Sequence, residues 1–160
     1  MKKILFVTAA LVSLASTALA GNVNQDVPVT ATVDTSCVFE GAAVPLTFHY
    51  AAATGITNPM GGYTGVLHCN FGGIGAVGAT DHPAIITVSK PDVLNREDGS
   101  SAILKVNLQV DDYEAYAGDP GTQYYGSDSH QYVVSATAPT DQWTVPNANY
   151  LGTVTVNVDF

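Results

Sequence analysis

The sequence holds four histidines, His49, His68, His82 and His130, and two cysteines, Cys37 and Cys69. Imidazoles and thiolates are the usual zinc ligands and the usual partners of a nucleophile, so their spacing decides whether such a site is encoded. The histidines are scattered. There is no H-E-x-x-H, and neither cysteine has a histidine at zinc-ligand spacing. No G-x-S-x-G elbow, P-loop, G-x-G-x-x-G or EF-hand spacing occurs. Phe71-Gly72-Gly73-Ile74-Gly75 is glycine-rich but lacks a following Lys-Ser/Thr, so it does not cradle phosphate. His68 directly precedes Cys69, so on a strand it points to the opposite face, as a surface or groove residue. Asp111, Asp112, Glu114 and Asp119 could gather calcium, but the spacing matches no calcium loop, and a solvated acidic segment is the expectation. The sequence therefore reads as non-enzymatic, with no cofactor and no metal.

Composition narrows the class further. The chain opens MKKILFVTAALVSLASTALA: two lysines, an apolar run too short to span a bilayer comfortably, and an Ala18-Leu19-Ala20 cleavage site. Residues 1–20 are expected to be a signal peptide, and the remainder one domain exported through it. The formal charge is −9, and removing Lys2 and Lys3 makes the exported chain more acidic still. Phosphate backbones and anionic headgroups repel such a surface, so nucleic acid is not an expected partner. An even cysteine count in an exported protein points to one disulfide, Cys37–Cys69.

The elements are short alternating runs bounded by Gly, Pro, Asn and Asp, with little helical periodicity. Val27 to Asp34, VPVTATVD, alternates strictly. Cys37 to Phe39 follows, then Val44 to Tyr50 with Val44, Leu46, Phe48 and Tyr50 in phase. Tyr63 to Phe71 places Leu67, Cys69 and Phe71 together. Ala84 to Ser89 is a short apolar strand, and Pro91 to Ser101 reads as a loop with an Asp98-Gly99 turn. Ala102 to Val110 alternates, Asp111 to His130 reads as a long surface connection, and Tyr132 to Ala138 is a strand. Pro139 to Asn149 carries the only tryptophan, Trp143, and Tyr150 to Phe160 alternates again. About seven short strands without a helix predict an all-β sandwich.

Both terminal runs carry a Val-rich face. Taken alone, they could be the ordinary first and last strands of one sandwich, pairing with each other. The order of features offers another reading: a signal peptide, then NVNQDVPVTATVDTSC, a partner cysteine in VLHCN, and a final YLGTVTVNVDF with an aromatic last residue. In this order the chain resembles a subunit of a chaperone–usher pilus. The ending and the cysteine pair are most similar to the archaic branch typified by spore coat protein U. VPVTATVD is also similar to the N-terminal strand of colonisation-factor-type major pilins, which generally lack the disulfide.

The resemblance implies an incomplete immunoglobulin-like β-sandwich, residues 35–160, completed by a donor strand from a neighbouring subunit. Residues 21–34 would be the donor extension, with Val23, Val27, Val29, Ala31 and Val33 buried in the neighbour. Val154, Val156, Val158 and Phe160 would line the acceptor groove and form the strand that a periplasmic chaperone engages. The implied partners are identical or related pilins in a head-to-tail fibre, the chaperone and an outer-membrane usher. The implied location is a cell-surface pilus, supporting adhesion or biofilm formation. Pro28 departs from the pattern because it lacks a ladder N–H, so one bond is lost or tight pairing begins at Val29. Two alternatives share the fold: a single-domain tip subunit binding a ligand through the Tyr113–Tyr132 loop, or a self-complemented secreted coat protein.

Overall fold

The computed structural model describes residues 25–70 and 72–160. The signal-peptide expectation, Val23 and the in-phase Phe71 lie outside them. The chain divides into Met1–Thr32 and Val33–Phe160. In the first unit, residues 25–32 have no strand pairing, and Val27 and Val29 are exposed.

The second unit is all-β, with no helix among the described residues. Its widest sheet has four strands in the order β1 (Cys37–Glu40), β4 (Val66–Cys69), β9 (Asp128–Thr137), β8 (Asn107–Glu114). Cys37 lies directly opposite Cys69 in the antiparallel β1–β4 pair, and the two sulfurs are bonded. Leu67 and Cys69 of β4 and Tyr132 of β9 pack with Ile74, Ala84 and Ile86 into one core cluster, joined by the partly buried Val110, Val156 and Val158.

Several elements differ from the sequence-based expectation. Residues 91–101 are not all loop: β6 (Val93–Arg96) pairs with β7 (Ile103–Lys105) around the expected Asp98–Gly99 turn. With Val93 and Leu94 as its only apolar residues, β6 is too short to show a period, and pairing decides it. β3 (Gly55–Met60) was not expected, since Pro59 and Asn58, the latter at φ 51°, speak against a strand. It closes a bulged hairpin with β2 (Thr47–Ala51). The acidic run after Val110 continues β8 to Glu114, and β9 begins at Asp128, because polar residues pair across this ladder: His130 Nδ1 lies 2.7 Å from Asp112 Oδ1.

The alternating run 102–110 divides between two sheets. Residues 103–105 pair with β6 and residues 107–114 with β9, and the Val106 N–H donates to Asp92 O at the switch. The C-terminal run divides likewise into β10 (Tyr150–Leu151), paired with β6, and β11 (Thr155–Asp159), paired with β5 (Ile85–Ser89). Gly152 sits at that division. A Cβ there would lie 2.5 Å from Leu94 Cδ2, so a larger residue would have to displace the Leu94 side chain.

Tyr132 is fully buried, and its hydroxyl has no hydrogen-bond partner among the described residues. Burial first, then the charges of Asp112 and Asp128, push the phenol well above its ordinary 10.0. These effects penalise only the ionised phenolate, so the fold keeps its stability below about pH 10 and loses it as pH rises above that. Tyr132→Phe is expected to keep or raise the urea midpoint at pH 7 and to flatten the alkaline loss above pH 10, as read by urea titrations at both pH values. Replacing both Cys37 and Cys69 by serine opens a loop with a sequence separation of 32. That change is expected to cost about 3–4 kcal/mol, read from the same unfolding curves.

Candidate functional site

The second core cluster, Leu94, Leu104, Val106 and Leu108, is buried, but the apolar residues packed against it are only partly so. An open groove of about 1640 Å³ runs along it, bounded by residues from 39–52 on one side and 142–156 on the other. The alternation of VPLTFHY brings Leu46, Phe48 and Tyr50 to one wall, and Val145, Tyr150 and Val154 form the other. Leu94, Leu104 and Leu108 form its floor.

Hydrogen bonds hold the rim. Tyr50 OH donates to Pro139 O at 2.9 Å and accepts from Gln142 N at 3.3 Å. The Gln142 carboxamide spans both backbone groups of Lys105, at 2.9 and 3.0 Å. These bonds fix the 139–149 link and place Trp143 on the groove with 71% of its surface exposed.

Backbone chemistry matches the side chains. β10 has β6 as its one neighbour and β11 has β5, so among the described strands the second edge of the C-terminal run is unpaired. Such an edge presents a row of N–H and C=O groups to an incoming strand. An apolar channel beside an open strand edge has the chemistry to take an extended chain whose alternate residues are apolar.

Of the residues expected to line an acceptor groove, Val154 and Val156 do line this one. Val158 packs into the other core cluster, and Phe160 is exposed and stands outside the groove lining. Val27, Val29, Ala31 and Val33 are exposed and unpaired, Val29 with 88% of its surface accessible. The opposite wall, from Phe39 to Ala52, and the Trp143–Asn149 link were missed as groove residues. The one signal for that wall was the in-phase apolar set Val44, Leu46, Phe48 and Tyr50.

The histidines do not converge. His49 lines the groove and His82 lies 3.8 Å from Asp81. His130 sits between Asp112 and Asp128. His68 faces away from the core side of β4 as expected, but it is not a surface residue. The loop carrying Tyr124 covers it, with the two rings stacked at a centroid distance of 4.0 Å. No group of three His, Cys, Asp or Glu residues able to hold a metal occurs among the described residues. No family model, curated protein or solved structure matches the chain.

Trp143, the only tryptophan, reports on the groove. Adding a peptide of residues 21–34 to the full chain is expected to shift its emission to the blue, while the same peptide with Val29→Asp leaves the spectrum unchanged.

Proposed function

We propose that this chain is a structural subunit of an extracellular fibre of the chaperone–usher type, polymerising by donor-strand exchange. The observation that carries the reading is the apolar groove beside the unpaired edge of β10 and β11. The alternate apolar residues of its wall, Leu46, Phe48 and Tyr50, suit an alternating strand, and residues 27–33 are such a segment, exposed and unpaired.

In this reading the sandwich of one subunit lacks a strand, and the N-terminal segment of the next supplies it. Burying Val27, Val29 and Val33 contributes roughly 5–9 kcal/mol before ordering costs, at about 1.5–3 kcal/mol each. Ladder hydrogen bonds to the open edge add to this, less one at Pro28. A head-to-tail contact of this kind does not close on itself, so it propagates as a fibre. Before assembly a periplasmic chaperone fills the same groove, an outer-membrane usher exchanges it for the next subunit, and the fibre supports adhesion or biofilm formation.

Cell-surface material run in SDS with the disulfide intact is expected to give a ladder of multiples that collapses to one band on boiling. Val29→Asp abolishes the ladder while the exported monomer still accumulates. A single monomer band without boiling, from properly exported protein, overturns the fibre reading in favour of a self-complemented coat protein.

A further inference from the structure

Away from the groove, β1, β4 and β9 bring a glutamate, a histidine and two serines into one hydrogen-bonded set. Glu40 ends β1, His68 lies in β4, Ser129 in β9, and Ser127 just before β9. His68 Nε2 is 3.1 Å from Glu40 Oε2. Its Nδ1 is 2.7 Å from Ser129 Oγ and 3.1 Å from Ser127 Oγ, and the two hydroxyls are 2.8 Å apart. A carboxylate only accepts hydrogen bonds, so Nε2 carries the imidazole proton and donates to Glu40. Nδ1 then keeps its lone pair and accepts from a serine. Hydroxyl, imidazole base and orienting carboxylate stand in the order that activates a nucleophile.

The surroundings are built to hold that order. The Tyr124 ring lies parallel to His68, within 3°. His68 is 4% exposed and Ser129 2%, which shields the base from water. Ser127 alone of the two serines lines an adjoining cleft of about 310 Å³, together with Val38, Gln123, Tyr125 and Gly126. That space admits a short acyl group. At the cleft wall, the Gln123 carboxamide donates to the Tyr124 hydroxyl at 3.3 Å, beside the stacked ring.

We propose that Ser127 is an activated nucleophile that accepts the acyl group of a small ester. Ser127 Oγ attacks the ester carbonyl and forms the new C–O bond. Its proton passes to His68 Nδ1, directly or through the Ser129 hydroxyl, and the imidazolium is stabilised by Glu40. The ester C–O bond then breaks, and the departing alkoxide takes the proton from His68. The products are acyl-Ser127 and an alcohol. Ser129 is a positioning residue, because it is too deeply buried to meet the ester.

The test is to incubate the exported, disulfide-intact chain with p-nitrophenyl acetate, follow p-nitrophenolate release, and map the acetyl group by peptide mass spectrometry. The expected result is a burst of about one equivalent with acetyl on Ser127. His68→Gln slows the burst about a hundredfold, as loss of a general base does, and Ser127→Ala removes it. A second, milder variant, Glu40→Gln, leaves the ring in place and is expected to slow the burst about tenfold. Acetyl confined to lysines and tyrosines of the wild-type chain overturns the proposal, whatever the variants do. So does a rate unchanged in a His68→Gln chain that keeps the wild-type circular dichroism.

Discussion

A backbone N–H or C=O taken out of water needs a partner, and among the described residues the C-terminal run meets that demand on one side only. β10 leans on β6 and β11 on β5. The same run contributes to both core clusters, Tyr150 and Val154 to one and Val156 and Val158 to the other. Its position therefore sets how the two clusters sit along the molecule, while its second edge stays open. The groove follows from this. The floor residues Leu94, Leu104 and Leu108 are well buried, but the walls above them, Leu46, Phe48, Tyr50 and Val145, are only partly so. A further strand laid on the open edge would satisfy the backbone and cover these side chains together.

β1 ties this groove to the other side of the sheet. Its pairing with β4 is pinned at one end by the Cys37–Cys69 bond, in a register where the two cysteines face each other. Strand alternation then separates the next residues: Phe39 lines the groove, and Glu40 reaches His68. Gly65 allows this, because a Cβ there would collide with the carbonyls of Glu40 and Gly41. One short strand thus presents an apolar wall on one face and a carboxylate acceptor on the other. A one-residue slip of β1 would exchange them, and the disulfide forbids that slip.

The parts of this fold legible in the sequence are those where burial enforces a period. The sets Leu46-Phe48-Tyr50, Leu104-Val106-Leu108 and Val154-Val156-Val158 all announce strands, and the cysteine pair announces its own bond. Illegible were elements whose partners, not their side chains, define them. β6 has two apolar residues, β3 carries Pro59, and the end of β8 is acidic yet pairs with β9 through Asp112 and His130. His68 was half legible for a related reason: it lines a small cleft, as a groove residue does, but it is buried. Alternation correctly turned it from the Cys69 face, but only the tertiary path of the 115–127 loop lays Tyr124 over it. The groove was half legible: the C-terminal wall followed from YLGTVTV, while the switch of 102–110 between sheets, which lays the floor, depends on long-range pairing.

Two features of the chain are liabilities taken singly. An unpaired strand edge beside apolar walls invites unspecific pairing, and an exposed Val-rich alternating segment invites the same. Soluble proteins usually blunt such edges with charge or proline. Here the −9 charge spreads repulsion over the whole molecule, and Pro28 stands within the exposed segment, where it removes one ladder donor. The two liabilities share a period of two, an apolar face and unpaired backbone groups, so each supplies what the other lacks. On the fibre reading, a contact between them would satisfy both while leaving a fresh segment and a fresh groove at the ends of the pair. Growth in one dimension would then follow from that asymmetry without any further interface.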